Sequence, residues 1–281
     1  MQIDLLDVFC GGPLGGNPLA VVRGGDDLSD AQMLALTRWL GFSETTFLLP
    51  PRDLAADYAV RIFSPGRELP FAGHPTLGSA RAWLAAGGVP HTAGQIVQEC
   101  GAGLIPVRVA GETLAFLAPP MRRNDPLSLE ELAEAVRLAG VDAESVVAAA
   151  HADNGPNWVL LRLRSAADVL AARPVPEAPV GTDIGLVGPA APGSGYDWEV
   201  RAFFADGQGR MREDPVTGSL NAGIALHLHG AGLAGHDGYV AAQGRQAGAD
   251  GRVYVTFDDA GAWIGGATFV VAQGAGLAVP K

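Results

Sequence analysis

The sequence has only two cysteines, Cys10 and Cys100, and one lysine among its 281 residues. Two cysteines are too few for a disulfide scaffold or for a zinc site with four thiolates. The single lysine is Lys281, and the net charge of −11 provides no overall basic surface. Because nucleic-acid binding needs a basic surface, we expect no nucleic-acid partner; a local patch of arginines is the alternative that composition leaves open.

Long apolar runs are also missing, and none approaches the roughly 18 residues that a membrane-spanning helix needs. The first residues, M-Q-I-D-L-L-D, have no basic region before an apolar stretch, so we expect a cytoplasmic protein without a membrane partner. Hydrophobic residues make up 48% and charged residues 17%, which is typical of an ordered globular protein. The length suits about two domains of ~150 residues each.

Hydrophobic periodicity predicts more strands than helices, with runs of strands between single helices. Predicted strands are Ile3–Phe9, Leu19–Val22, Thr45–Leu49, Tyr58–Phe63, Gly103–Val109, Leu114–Leu117, Trp158–Leu163, Trp198–Phe204, Val253–Phe257 and Ala267–Ala272. Predicted helices are Asp30–Leu40, Pro75–Ala86, Leu127–Leu138, Asp142–Ala150 and Pro215–His229. The stretch Ala171–Gly195, rich in proline, glycine and alanine, predicts a connection. This order indicates an α+β fold rather than a regular strand–helix alternation.

Two segments of the sequence match each other at a constant offset of 140 residues. Identical pairs are Val60 and Val200, Arg61 and Arg201, Phe63 and Phe203, Pro75 and Pro215, Gly78 and Gly218, Ser79 and Ser219, Ala82 and Ala222, and Ala85 and Ala225. Each copy predicts a strand, a turn and then X-Pro-x-x-Gly-Ser at the start of a helix. Chance matching of Gly/Ala-rich segments is the alternative. We favour two homologous halves in which His74 and Asp214 are equivalent.

The two predicted helix starts are candidate anion-binding sites. Proline is common at the first helical position, which predicts His74 and Asp214 as the two N-caps. A helix N-terminus offers backbone N–H groups and partial positive charge to a carboxylate. Gly73 and Gly218 would allow a ligand to approach the backbone closely. If the halves are pseudo-symmetric, the two starts are expected to lie across one cleft.

Each of these side chains also has a purely structural interpretation. His74 could be a buried core histidine, although a histidine is a poor helix cap and its place in the repeat favours a functional role. A role as a helix cap is enough to explain an aspartate at position 214. Only the pairing of Asp214 with His74 in the repeat suggests a catalytic role as well. Ser219 could either pack within the helix or bind a ligand.

Glu44 precedes an apolar strand in the sequence G-F-S-E-T-T-F. Phe42 and Phe47 flank it, and partial burial between them would raise its pKa toward that of a useful general base. The alternative is a surface glutamate in a turn. The nearby Gly11–Pro18 segment leads into a strand rather than a helix, so it predicts a turn and not a dinucleotide-binding loop, with Asn17 a candidate contact to the site.

Four blocks of the sequence together resemble the PhzF-like phenazine-biosynthesis proteins. They are D-V-F-C-G-G-P-L-G-G-N-P-L-A-V-V, S-E-T-T-F, A-G-H-P-T-L-G-S-A and E-D-P-V-T-G-S-L-N, in the family's order over the whole chain. The resemblance implies a diaminopimelate-epimerase-like fold of two pseudo-symmetric α+β halves, each a curved, mostly antiparallel sheet around a central helix. The active site is expected between them. We assign residues 1–118 to the first half and 119–281 to the second, with a C-terminal strand that could return to the first.

The characterised activity of that family is isomerisation of trans-2,3-dihydro-3-hydroxyanthranilate by a cofactor-free proton shift. The resemblance implies Glu44 as the proton carrier, with His74 and Asp214 as further catalytic residues. Implied substrate-binding residues are Ser43, Gly73, Gly218, Ser219 and Asn17. It also implies a homodimer that takes a small carboxylic acid, with no metal or cofactor. Related epimerases place thiols at the two helix starts, and this sequence has none there.

Two functions from different classes follow. The first is an isomerase or epimerase that uses Glu44 as a single base on a small carboxylic acid. The second is a non-catalytic protein that keeps the fold but only binds a small ligand or a partner. The joint presence of Glu44, His74, Asp214 and Ser219 favours the enzyme.

Overall fold

The computed structural model describes residues 1–278, and the chain divides into two compact units. The first unit contains Met1–Leu117 and the chain from Gly265 onward. The second contains Ala118–Ile264. Each unit contains one buried helix, which positions the candidate functional residues of that unit.

The first unit contains the chain's first ten elements. They are β1 (Gln2–Val8), β2 (Asn17–Arg23), α1 (Asp30–Leu40), β3 (Thr45–Leu49), β4 (Tyr58–Phe63), β5 (Glu68–Leu69), α2 (Gly73–Ala85), β6 (Gln95–Cys100), β7 (Gly103–Ala110) and β8 (Thr113–Leu117). The strands follow the order β1-β2-β3-β4-β6-β7-β8, with β5 paired to β4. The pairs β2–β3 and β4–β6 are parallel, whereas β1–β2, β3–β4 and β6–β7 are antiparallel.

The second unit contains the remaining elements, apart from the larger part of the last strand, β16. They are α3 (Leu129–Ala139), β9 (Val146–Asp153), β10 (Asn157–Leu163), α4 (Ala166–Ala171), β11 (Asp183–Pro189), β12 (Trp198–Ala205), β13 (Met211–Asp214), α5 (Gly218–Gly230), β14 (Tyr239–Gln243), β15 (Gly251–Asp258) and β16 (Gly261–Gly276). The order is β16-β15-β14-β12-β11-β10-β9, with β13 paired to β12. Short 3₁₀ turns form at Ala143–Ser145 and Arg245–Ala247.

Strand β16 begins in the second unit and ends in the first. In the first unit it pairs antiparallel with β1, from Val8 opposite Thr268 to Gln2 opposite Gly276. Because β16 also neighbours β8, the strands of this unit form a closed ring.

Helix α2 contacts β1, β2, β3, β6 and β8, and every residue from Gly73 to Ala80 is buried. Small residues make this possible. A Cβ on Gly78 would lie 2.4 Å from Leu19 Cδ2 and 3.1 Å from Val8 Cγ2. Helix α5 is buried in the same way over Gly218–Ala225 and contacts β9 and β10.

The two units repeat the same element order, in line with the pseudo-symmetric halves predicted from the sequence. Each copy runs strand, strand, helix, three strands, helix and three strands, with β16 as the last strand of the second copy. Among the described residues, the second copy adds α3 and the two short 3₁₀ turns. The repeat extends to side chains. Arg61 binds Glu68 and lies over the Phe63 ring, and Arg201 binds Glu213 and lies over the Phe203 ring in the same way.

The predicted equivalence of His74 and Asp214 is wrong, because the β12–β13 hairpin is five residues longer than the β4–β5 hairpin. Ile62 pairs with Leu69 in the first unit, whereas the matching Ala202 pairs with Asp214 in the second. Leu69 is therefore the counterpart of Asp214. The helices start at Gly73 and Gly218, so His74 corresponds to Ser219.

Several element boundaries match the prediction, two predicted segments are wrong, and five elements were not predicted, namely β5, β6, α4, β13 and β14. Helix α1 and strands β3 and β4 begin and end as predicted. The predicted helix Asp142–Ala150 is wrong: a 3₁₀ turn leads directly into β9, which pairs with β10. The predicted connection Ala171–Gly195 contains strand β11, buried from Ile184 to Gly188.

The two repeated arginine–glutamate pairs should contribute differently to stability. Arg201 is 6% exposed and also donates to the carbonyls of Val169 and Ala172, so Arg201→Ala leaves buried acceptors and the Glu213 carboxylate without their partner. We expect that variant to lose about 3–5 kcal/mol of unfolding free energy.

Arg61→Ala is the matched control, because Arg61 is 27% exposed and Glu68 is 42% exposed. It should lose at most about 1 kcal/mol. Urea denaturation followed by circular dichroism measures both variants. Equal losses of unfolding free energy in the two variants would show that burial does not make the Arg201–Glu213 pair more important for stability than the Arg61–Glu68 pair.

Candidate active site

Glu44 is placed by the short link between α1 and β3. Helix α1 ends at Gly41, which takes a left-handed conformation with φ of 76° and donates its N–H to Thr37 O. Glu44 then directly precedes β3, which lies between β2 and β4 in the sheet. Its side chain is 18% exposed, so the carboxylate is largely covered but still open to a ligand.

His74 lies next to Glu44, with Nε2 3.6 Å from Glu44 Oε2. The ring is 6% exposed, and Nε2 has no hydrogen-bond partner among residues 1–278. Burial lowers the pKa of His74 to about 3, so the imidazole is neutral at physiological pH. The contact is therefore a neutral ring beside a carboxylate, longer than a hydrogen bond, and not an ion pair.

The predicted N-cap positions of His74 and Asp214 are wrong. Helix α2 begins at Gly73 with Ala72 as its N-cap, and α5 begins at Gly218 with Thr217 as its N-cap. Pro75 is the third residue of α2, where its missing N–H leaves no hydrogen bond unmade, whereas Pro215 lies two residues before the N-cap of α5. The proline therefore does not fix the first helical position in either copy. Asp214 instead ends strand β13.

The starts of α2 and α5 differ from the starts of the other α-helices. Ser29, Ser128 and Ser165 cap α1, α3 and α4 through their side chains. Neither α2 nor α5 has a side-chain cap or an acidic residue in its first turn. A buried helix start with free N–H groups and positive partial charge suits a carboxylate ligand. Carboxylate binding by Gly73 and Gly218 remains a prediction that this arrangement supports.

Asp214 belongs to a hydrogen-bonded network at the start of α5. The Thr217 hydroxyl donates to Asp214 Oδ2 at 2.5 Å and accepts from Gln243 Nε2 at 3.0 Å. Gln243 Oε1 accepts from the Thr217 backbone N–H at 3.1 Å and from Asn221 Nδ2 at 2.8 Å. These bonds occupy the Thr217 hydroxyl, which explains why it does not cap the helix.

Sequence reasoning missed Thr217 and Gln243. Thr217 could have been noticed within the X-Pro-x-x-Gly-Ser pattern. Gln243 has no local signal, because its contacts come from residues that are distant in the sequence.

The weaker site candidates have partners within their own units. Ser219 Oγ accepts from Trp158 Nε1 at 3.0 Å, and its carbonyl accepts from Asn154 Nδ2 at 2.8 Å. Ser43 Oγ donates to Asn17 Oδ1 at 3.4 Å, directly beside Glu44. The Ser219 contacts support a packing role, although its hydroxyl can still donate to a ligand.

Both thiols are protonated at physiological pH. Burial and the nearby Asp7 carboxylate raise the pKa of Cys10 to about 12, and its Sγ lies 3.4 Å from Ala267 O. Burial also raises the pKa of Cys100. A thiol acts as a base or nucleophile only as thiolate, so neither cysteine is suited to that role.

Residues 1–278 contain no cluster of side chains suited to a metal centre. No group of three or more His, Cys, Asp or Glu residues there could hold a metal ion. None of the helices in that range is long and apolar enough to cross a membrane.

The two units, each with a sheet around a buried helix, define an α+β protein of the diaminopimelate-epimerase-like fold. A PhzF-family phenazine biosynthesis protein of Bacillus anthracis has the same fold, with a TM-score of 0.81 at 22% identity and 99% of each chain covered. The family model described as phenazine biosynthesis-like protein matches residues 6–274, so the chain belongs to this PhzF family.

Two relatives extend the comparison. The chain is 34% identical over 228 residues to the trans-2,3-dihydro-3-hydroxyanthranilate isomerase of Pseudomonas chlororaphis, covering 80% of this chain and 78% of that one. It is 36% identical over 172 residues to antisense-enhancing sequence 1 of Schizosaccharomyces pombe. That match covers 59% of this chain and 58% of that protein, less than two thirds of its length.

The depressed pKa of His74 predicts a pH effect on stability. In the unfolded chain His74 binds a proton near pH 6.5, whereas in the folded chain it binds one only near pH 3. The free energy of unfolding therefore decreases as the pH falls from about 6.5 toward 3. Between pH 7 and pH 5, wild type should lose about 2 kcal/mol more unfolding free energy than His74→Asn.

Urea denaturation at the two pH values measures this difference. His236→Asn is the control, because its ring is fully exposed and should leave the wild-type pH dependence unchanged. Identical losses in wild type and His74→Asn would mean that His74 is not held neutral by burial.

Proposed function

We propose that this chain is a cofactor-independent isomerase that shifts a proton within a small cyclic or amino carboxylic acid, with Glu44 as the proton carrier. The observation that carries the proposal is the Glu44–His74 pair. A largely covered carboxylate lies 3.6 Å from a buried, neutral imidazole in the first turn of α2. The pair supplies a base, and the uncapped helix start supplies an anchor for a substrate carboxylate.

The proposed reaction needs no external reactant. The Glu44 carboxylate takes a proton from one substrate carbon, and the electrons of the broken C–H bond move into the conjugated system. The Glu44 carboxylic acid then returns the proton to a second position, where a new bond to hydrogen forms. No electrons leave the substrate, and the carboxylate is restored. One carboxyl group can perform both steps because it can act first as base and then as acid.

The other residues would orient the substrate and stabilise its charge. Neutral His74 can donate one hydrogen bond and accept another. The N–H groups at Gly73 would hold the substrate carboxylate, where a preorganised dipole acts most strongly in a site sheltered from water. We propose supporting roles for Ser43 and Asn17, and for Asp214, Gly218 and Ser219 in the second unit.

The relatives support the reaction class. The Pseudomonas chlororaphis relative is named as an isomerase, and the compound in its name is a cyclic amino carboxylic acid. We propose the same class of substrate for this chain. We also propose a homodimer in the cytoplasm, as the family resemblance implies.

Deuterium incorporation tests the function. The purified protein is incubated in deuterated water with a panel of cyclic and amino carboxylates, and the products are analysed by NMR and mass spectrometry. Deuterium bonded to carbon in at least one compound is the expected result. Tight binding of a compound without any exchange at carbon would favour the non-catalytic ligand-binding alternative.

Glu44→Gln tests the assigned base. The amide keeps the shape of the side chain but cannot take the proton, so turnover of the identified substrate should fall by about 10²–10⁴-fold. Substrate affinity should change far less. Steady-state kinetics and a binding titration measure the two effects.

The matched control is Glu68→Gln. Glu68 belongs to the same unit, is 42% exposed and binds Arg61, so its replacement should leave turnover unchanged. A Glu44→Gln enzyme with near wild-type turnover would exclude Glu44 as the proton carrier, and the His74 imidazole would become the candidate.

Replacing both thiols tests the absence of thiol chemistry. Because the pKa values of Cys10 and Cys100 are raised, a Cys10→Ala, Cys100→Ala double variant should turn over within about twofold of wild type. Rates are compared per folded protein, with the folded fraction taken from thermal melts. A loss of turnover in a fully folded double variant would restore a thiol to the mechanism.

A further inference from the structure

The loop between β1 and β2 has a strained backbone. Phe9 and Leu14 are the two non-glycine residues with positive φ in the described chain, at 63° and 56°. Leu14 lies in a tight turn in which Gly15 donates its N–H to Gly12 O at 3.1 Å. A positive φ at this turn position normally calls for glycine or asparagine. Leu14 is 74% exposed, so packing of its own side chain does not hold the turn.

Asp7 holds this loop from the end of β1. Its Oδ1 accepts the Gly16 N–H at 2.9 Å, and the side chain is buried. Burial raises the pKa of Asp7, while the Gly16 N–H, the Cys10 thiol and the N–H groups of Gly15 and Leu14 oppose that rise, as expected for a carboxylate that faces successive donors of the loop.

Gly16 is required for this close approach. A Cβ on Gly16 would lie 2.2 Å from Val8 O and 2.6 Å from Asp7 Oδ1. Both neighbours are held in β1, so no side chain fits there. The loop can therefore close onto Asp7 only with glycine at this position.

A short series of contacts joins Asp7 to Glu44. Gly16 is followed by Asn17, the first residue of β2, and the Asn17 side chain is fully buried. Asn17 Oδ1 accepts from Ser43 Oγ at 3.4 Å, and Ser43 directly precedes Glu44. Asn17 directly follows the loop, its backbone pairs with Val8 of β1, and its side chain contacts Ser43.

We propose that Asp7 is a positioning residue for the Glu44 site: it holds the strained loop from Phe9 to Gly16 and so places the Asn17 side chain that fixes Ser43 beside Glu44. The inference rests on the proposed function, since it names what places the proposed base. In this proposal Asp7 does not contact the substrate or the Glu44 carboxylate.

Asp4 provides a matched control on the same strand. Asp4 is also buried and also accepts a backbone N–H, from Gly274 at 2.7 Å, together with the Arg23 guanidinium. Asp4→Ala therefore removes a buried carboxylate from β1 without touching the loop. The test compares it with Asp7→Ala and Asp7→Asn in the full-length protein.

The kinetic arm uses the substrate found by deuterium incorporation. Asp7→Ala should lower kcat by about 10–100-fold at a fully folded temperature, since small misplacements of a reacting group cost that much. Asp7→Asn keeps an oxygen for the Gly16 N–H and should recover kcat to within about threefold of wild type. Asp4→Ala should keep kcat within about twofold despite a comparable loss of Tm.

The structural arm does not depend on turnover. In ¹⁵N-labelled protein, Asp7→Ala should shift the Asn17 side-chain amide and the Ser43 backbone amide, whereas Asp4→Ala should not. Unmoved Asn17 and Ser43 signals, or equal kcat losses in Asp7→Ala and Asp4→Ala, would overturn the proposal. If Glu44→Gln keeps wild-type turnover, the proposed function fails instead, and the NMR shifts still decide whether Asp7 places Asn17 and Ser43.

Discussion

The burial of one helix inside each sheet is the constraint on which the rest of the structure depends. A helix surrounded by strands must have small residues where the strands approach, as Gly78 shows in α2, where a Cβ would lie 2.4 Å from Leu19. Burial also removes water from the first turn of the helix, so the N–H groups at its start depend on a side chain or a ligand. In α2 that start has no side-chain cap, and His74, held in the same dry turn, stays neutral beside Glu44.

Hydrophobic runs and their periodicity predicted part of the fold closely. They predicted the ends of α1, β3 and β4 to the residue. Strand β9 was misassigned as a helix because its alanine-rich sequence favours a helix locally, whereas pairing with β10 decides its conformation. Strand β11 was missed because its glycines indicated a turn. Gly185 is instead required by packing, since a Cβ there would lie 2.2 Å from Leu220.

The candidate site was predictable to the extent that its residues lie in distinctive sequence blocks. Glu44 and His74 were both singled out, and the structure brings them to 3.6 Å. The detailed helix starts were not predictable, because the longer second hairpin shifts the repeat and a proline does not fix the first helical residue. Gln243 and Asp7 could not be found from the sequence, since their roles depend on contacts that only the folded chain creates.

The central claim is that a single sheltered carboxyl group carries the proton. Transfer of hydrogen from the substrate into the product tests this claim most directly. A substrate deuterated at the carbon that loses its proton is converted in ordinary water under single-turnover conditions, and the product is analysed by mass spectrometry and NMR. The Glu44 carboxyl group is largely covered, so the account predicts that part of the deuterium appears at the new position in the product. Product that carries only solvent hydrogen at that position would contradict a single carrier and would indicate separate groups for proton removal and return.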